Sequence, residues 1–191
     1  QVHGSNVKII TEDLRGRGAF QESTAINDAD AMVTNIPDIC LMALQADCVP
    51  FLFFDMKRKV IGVAHAGWRG TLRMVVQNTV KVLMEKFCCL PNNIFVGVGP
   101  SIGPCCYEIG PETIAEIRKV FRNENQYLQN KNFLERGYFD LWEVNKLQLI
   151  QIGIPERNIE IARLCTKCKH TVFFSYRHQR AGTGRFGAGI M

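Results

Sequence analysis

The chain of 191 residues contains four histidines, His3, His65, His170 and His178. Two of them stand where chemistry is expected. His3 lies in a small polar stretch, Val2-His3-Gly4-Ser5-Asn6. His65 ends an apolar run just before Gly67, where strand gives way to helix. Strand ends beside helix N-termini are where α/β proteins place ligand sites. Cys48 sits at a turn between apolar runs, in Gln45-Ala46-Asp47-Cys48-Val49-Pro50. The run after Cys48 and the run ending at His65 are joined by Asp55-Met56-Lys57-Arg58-Lys59, a charged connector of hairpin type. If the two strands are antiparallel neighbours, their far ends meet and the thiolate and imidazole lie side by side. A soft thiolate with imidazoles suits zinc, and three protein ligands leave a fourth position for water or substrate. Residue type alone leaves other readings open. Cys48 also fits a small buried hydrophobe, His65 a hydrogen-bonded core histidine, and the pair a metal-free Cys–His nucleophile.

Three further clusters could do chemistry. Cys165-Thr166-Lys167-Cys168, with His170 nearby, has the spacing of a metal or redox motif, but a structural zinc would want another ligand. The favoured reading is two thiols on a loop before a strand, and neither is assigned as a ligand. Gly97-Val98-Gly99-Pro100-Ser101-Ile102-Gly103-Pro104-Cys105-Cys106-Tyr107-Glu108 follows a strand and precedes a helix. Its prolines remove amide donors and its spacing matches no phosphate-loop pattern, so it reads as a rigid pocket wall or a structural turn. Ser175-Tyr176-Arg177-His178, with Arg180 and Arg185, puts arginines at a strand end, where they could hold phosphate or simply be solvated.

The surrounding elements read as a single α/β domain with a mixed sheet and flanking helices. Asp30 to Thr34, Pro50 to Phe54 and Val60 to His65 are short apolar runs typical of strands buried on both faces. Ile39 to Ala46 fits a strand or a short helix. Residues 11 to 30 read as a mobile loop. Leu72, Val75, Val76, Thr79, Val80 and Leu83 recur at helical steps and predict one helix from Thr71 to about Phe87. Ile94 to Val98 reads as a strand, and Pro111 opens a second helix. Residues 122 to 137 read as a polar loop. Asp140-Leu141-Trp142-Glu143 resembles a capping box that opens a third helix, through about Ile152. Ile159 to Ala162, Thr171 to Tyr176 and Phe186 to Met191 read as closing strands.

Composition bounds the function. The chain is 47% hydrophobic and 21% charged, a globular balance. A net charge of +5, spread along the chain, does not call for nucleic acid and suits a small anion such as phosphate. No apolar run reaches the roughly 18 residues that span a membrane. The eight cysteines include two adjacent pairs, which fit a disulfide framework poorly and point to a reducing, cytoplasmic setting. The chain begins at Gln1, so targeting signals further upstream would be invisible.

Taken together, Gln1-Val2-His3-Gly4, Ala46-Asp47-Cys48-Val49-Pro50 and His65-Ala66-Gly67-Trp68-Arg69-Gly70 resemble signatures of the YfiH family. Gly99 to Glu108 and Phe173-Phe174-Ser175-Tyr176-Arg177 continue the match in the same order, over residues 1 to 191. The family is also labelled laccase domain or polyphenol oxidase; it has many bacterial members and includes the eukaryotic protein FAMIN. The texture here resembles a bacterial member. The resemblance implies a fold similar to the catalytic domain of cytotoxic necrotizing factor, with further strands before the Gln-Val-His-Gly motif. It implies zinc on His3, Cys48 and His65. It also implies phosphorolysis of adenosine, inosine, guanosine and methylthioadenosine, and deamination of adenosine. Relatives often carry two arginines after Ser-Tyr, whereas this chain has Arg177-His178.

On that reading, zinc activates water for attack on C6 of adenine, and Asp47 is the nearest carboxylate to shuttle the proton. Arg69 and Arg177 would hold phosphate against the ribose, with Asn6 as a further ligand contact. Purine nucleosides and phosphate are then the partners; protein partners are not legible. Three alternatives compete. A copper oxidase is opposed by the small number of histidines, although two histidines and a cysteine are the blue-copper set. A Cys–His hydrolase would use Cys48 as nucleophile and His65 as base. A non-catalytic module would hold its zinc in a closed shell.

Overall fold

The computed structural model describes residues 2–121, 127–132 and 136–191, the first residue of the Gln-Val-His-Gly motif lying outside them. In chain order the elements are β1 (Val7–Ile9), β2 (Ala31–Thr34), β3 (Leu41–Gln45), β4 (Val49–Asp55) and β5 (Val60–Ala66). They continue with α1 (Trp68–Leu72), α2 (Val75–Phe87), β6 (Ile94–Val98), β7 (Glu108–Ile109), α3 (Pro111–Val120), β8 (Leu128–Asn132) and β9 (Arg136–Phe139). The last are α4 (Leu141–Gln151), β10 (Ile159–Ile161), α5 (Tyr176–Gln179) and β11 (Phe186–Ile190).

The central sheet has six strands in the order β1-β2-β5-β4-β6-β10. The outer pairs β1–β2 and β6–β10 are parallel, and the inner pairs are antiparallel. The expected mixed sheet is therefore present. Every residue of β5 is buried, because both faces of the sheet are covered. On one face Val75, Val76, Val80 and Leu83 of α2 pack with Val33, Phe51 and Ala64. On the other, Leu41 and Ala43 of β3 join Ile10, Ile39, Ile61 and Val63. With a side-chain period of two, His65 falls on the same face as Ile61 and Val63.

The charged connector closes the β4–β5 hairpin. Asp55 Oδ1 accepts the backbone N–H groups of Lys57 at 2.8 Å and Arg58 at 2.9 Å. Pairing runs from Asp55↔Val60 at the turn to Val49↔Ala66 at the open end. Cys48 and Gly67 therefore flank the open end together.

Three expectations need correction. The single helix from Thr71 is two helices, broken where Met74 adopts a left-handed backbone (φ 59°). The apolar periodicity continues through the break because both pieces face the same core. The polar stretch expected as a loop contributes β8 and β9, which pair antiparallel with each other, while β9 also pairs with β7; residues 122–126 and 133–135 of that stretch lie outside the described residues. The strand expected over Thr171 to Tyr176 is absent. Val172 and Phe174 are exposed, and the buried Ser175 instead caps α5, accepting the N–H of His178 at 3.2 Å. The Arg177 cluster thus sits at a helix start, not a strand end.

The capping box is present, with Asp140 accepting the Glu143 N–H at 3.0 Å. Through Asn145 and Gln148, α4 holds Thr71 of α1, each donating at 2.9 Å. That fixes the helix following His65. Asp140→Ala is expected to cost about 1 kcal/mol of stability, the usual worth of such a cap. Denaturant unfolding of the variant checks this.

Candidate metal centre

The open end of the β4–β5 hairpin brings Cys48 and His65 together, and the N-terminal segment lays His3 across them. The anchor for that segment is Asp30, which is buried beside the first residue of β2. Its carboxylate accepts the backbone N–H groups of Val2 at 3.3 Å, His3 at 3.1 Å and Gly4 at 2.6 Å. Arg73 adds a bond to the His3 carbonyl at 3.3 Å. The ligand atoms of His3, Cys48 and His65 then all lie within 4.8 Å of one another. Cys48 Sγ is 4.0 Å from His3 Nε2, and the two imidazoles meet edge to face with centroids 5.1 Å apart.

Asp30 also touches His65, its Oδ1 lying 3.2 Å from Nδ1. A carboxylate there accepts a hydrogen bond from Nδ1–H and leaves the Nε2 lone pair free, the arrangement that orients a metal-binding histidine. Burial opposes the charge on Asp30, but hydrogen bonds from His65 and the Gly4 and Val2 amides outweigh it and hold its carboxyl down at about 2. Burial, then the neighbouring His65, also lowers the pKa of His3, which favours the neutral imidazole a metal needs. Cys48 is the reverse. Burial, reinforced by the Asp47 charge, pushes its thiol up to about 12. A free Cys48 is therefore a poor nucleophile, and a cation is needed to hold it as thiolate. That weighs against the metal-free Cys–His hydrolase.

The donor set, one sulfur and two imidazole nitrogens, fits zinc and leaves the fourth position open. Gly67 keeps this space clear. A Cβ there would fall 2.9 Å from Cys48 Sγ and 3.2 Å from His3 Cδ2. Gly67→Ala is therefore expected to weaken metal binding by the trio while keeping its secondary structure, measured as a drop in metal content beside circular dichroism. Unchanged metal content would contradict the crowding.

Asp47 adopts a left-handed backbone (φ 90°) and turns away from the trio. Its carboxylate accepts the Thr166 hydroxyl and the Arg177 N–H, both at 2.6 Å. Arg177 in turn reaches the Glu108 carbonyl at 2.6 Å and lies over the Tyr107 ring, 5.0 Å from its centroid. Burial, with the nearby Cys48 next, raises the Tyr107 pKa and keeps it a neutral phenol. A cavity of about 570 Å³ lies on the Arg177 side, with Cys105, Cys106, Glu108 and Tyr176 in its wall. The pocket-wall reading of the glycine-rich stretch is thus met by its C-terminal end. The trio does not line this cavity, and Arg177 joins the two through Asp47, the residue before Cys48.

Other expected contacts lie further out. Arg69 is exposed and stacks on Trp68 at 4.4 Å. Asn6 is exposed, and its side chain donates to Asp28 at 2.9 Å. His170 and His178 stack on each other with centroids 3.8 Å apart, so the position where relatives carry a second arginine is engaged by another ring. Asp30 and Tyr107 are not marked as site residues by the sequence. Asp30 offered no signal beyond an acid preceding a buried strand, and Tyr107 was absorbed into the glycine-rich stretch.

The chain belongs to the family described as multi-copper polyphenol oxidoreductase laccase, which matches residues 1–191. Among its relatives is the purine nucleoside phosphorylase YlmD of Geobacillus stearothermophilus, 35% identical over all of this chain and 69% of that protein. An adenosine deaminase from an unknown prokaryotic organism is 32% identical over all of this chain and 72% of its own length. The crystal structure of the Bacillus licheniformis hypothetical protein YfiH superposes with a TM-score of 0.94 at 35% identity, covering 99% of this chain and 71% of that one. Among the described residues, no helix is long and apolar enough to cross a membrane.

Proposed function

We propose that this chain is a zinc-dependent purine nucleoside enzyme. It phosphorolyses adenosine, inosine, guanosine and methylthioadenosine, and it deaminates adenosine. The observation that carries the reading is the convergence of His3, Cys48 and His65 on one point, with His65 oriented by a buried carboxylate. The names of the relatives support the substrate class. Bound by the trio, zinc supplies Lewis acidity and activates water.

The chain's own residues do the rest. Asp30 fixes the His65 ring and, through three backbone amides, the position of His3. Arg177, half-buried and in the cavity wall, offers the guanidinium that holds phosphate against the ribose C1′, and Arg69 adds positive charge from the rim. In phosphorolysis the phosphate oxygen bonds to C1′ as the glycosidic bond breaks and the purine departs. In deamination water adds at C6 and ammonia leaves. Both oxygens of Asp47 are held by fixed donors, so Asp47 suits positioning Arg177 better than shuttling protons. Asn6 would contact the ligand only after leaving Asp28.

The family description favours copper as a second reading. With two of the four histidines in the trio and the other two stacked on each other, no multicopper cluster can be assembled. One experiment separates the cases. The purified protein is incubated with adenosine, with and without phosphate, and its metal content and products are measured. Zinc, with free adenine appearing only when phosphate is present and inosine in either case, supports the proposal. A blue copper protein without nucleoside turnover overturns it.

A further inference from the structure

Cys105, Cys106, Cys165 and Cys168 form a second constellation that the trio does not use. Their sulfurs all lie within 4.8 Å of one another. Cys168 Sγ is 3.4 Å from Cys106 Sγ and 3.7 Å from Cys105 Sγ. We propose that these four cysteines bind a zinc ion in a closed, structural site.

The spacing is the first argument. With Zn–S bonds of about 2.3 Å, the edge of a tetrahedral sulfur cage is about 3.8 Å. The two pairs at 3.4 and 3.7 Å lie at or just under that edge, and no pair exceeds it by more than about an ångström. A disulfide needs its sulfurs at about 2.05 Å, and all four thiols are free. Packing does not explain the cluster. Cys105 and Cys168 are exposed, whereas Cys165 lies in the core and Cys106 packs against it.

The second argument is that the cage is framed without any ion. The loop after β6 and the loop after β10 are stitched together: Ser101 N donates to the Leu164 carbonyl at 3.1 Å, and Thr166 N to the Ser101 carbonyl at 3.0 Å. Trp142 Nε1 secures Ser101 Oγ at 2.6 Å. A Cβ at Gly103 would fall 2.7 Å from the Trp142 ring, so only glycine lets the first loop lie this close. The backbone amides of Cys168 and Gly103 point at the Cys165 sulfur. Lys167 and Lys169 lie in the same turn and offset the negative charge of a tetrathiolate. The C-x-x-C pair, short of ligands in the sequence, finds them in the vicinal Cys105–Cys106.

Four protein ligands leave no open position, which marks a structural ion. This one would clamp two loops that shape the neighbouring cavity. Thr166, between the ligands Cys165 and Cys168, holds Asp47, and Asp47 holds Arg177. Tyr107 follows Cys106 directly. The inference is independent of the nucleoside reading.

Zinc content of the full chain, purified under reducing conditions, is the test. About two zinc ions per chain are expected in the wild type, one for each ligand group, and about one in Cys48→Ala. About one is also expected in Cys168→Ser. Should that variant fail to fold, cobalt exchange into Cys48→Ala decides alone. Thiolate-to-cobalt charge-transfer bands should persist there, with the intensity of a tetrathiolate. Cys48→Ala without metal and without those bands would overturn the site. A Cys165–Cys168 disulfide found by peptide mapping of the protein as isolated would do the same. A red, iron-bearing protein would overturn the assignment to zinc.

Discussion

Replacing Cys48 by alanine is expected to lower nucleoside turnover on the order of a thousand-fold, since Lewis-acid stabilisation is worth several kcal/mol and each 1.36 kcal/mol is tenfold. The only thiolate of the trio disappears, leaving two imidazoles to hold the ion. The fold should survive. Cys48 is half-buried at a hairpin end, outside the core that packs around Phe51 and Val80. Steady-state rates and metal content on one preparation separate metal loss from unfolding. A variant with the wild-type metal content that turns over normally would remove Cys48 from the site.

The second large effect is expected from Asp30→Asn. Four donors converge on this buried carboxylate: the N–H groups of Val2, His3 and Gly4, and Nδ1 of His65. An asparagine presents one NH₂ to this ring of donors, so at least one contact becomes repulsive. Disrupting a buried charged partner typically costs about 3–5 kcal/mol. Loss of a carboxylate behind a metal-binding histidine typically costs about 10–100-fold in metal affinity. Both effects are expected together, because Asp30 anchors the segment carrying His3 and also fixes the ring of His65. Denaturant unfolding and zinc competition with a chelator measure them. A loss of stability with unchanged zinc affinity would show that Asp30 serves the segment alone.

The parts of this arrangement that could be read from the sequence are those encoded locally. Charges at Asp55 to Lys59 between two apolar runs specify a hairpin, and a hairpin forces Cys48 towards His65. The Asp140 cap was legible because its partner lies three residues on. What could not be read depends on distant residues. Asp30 meets His3 and His65 only after β2 pairs with β5, and nothing in its immediate neighbours marks it. The break at Met74 is hidden because α1 and α2 share one apolar face. Gln129 to Asn132 are polar yet form a strand, since β9 supplies the pairing. Thr171 to Tyr176 has the composition of a strand but finds no edge to join. The four-cysteine cluster joins loops separated by two helices and four strands, so its C-x-x-C half is incomplete in the sequence.

The most direct measurement is anomalous diffraction at the zinc absorption edge, on crystals of the wild-type chain soaked with adenosine. The expected result is a peak bonded to Cys48 Sγ and to ring nitrogens of His3 and His65, with the nucleoside beside it and within reach of Arg177. A map with no peak between these three residues, or with adenosine bound away from them, would contradict the assignment of this site to purine nucleoside chemistry.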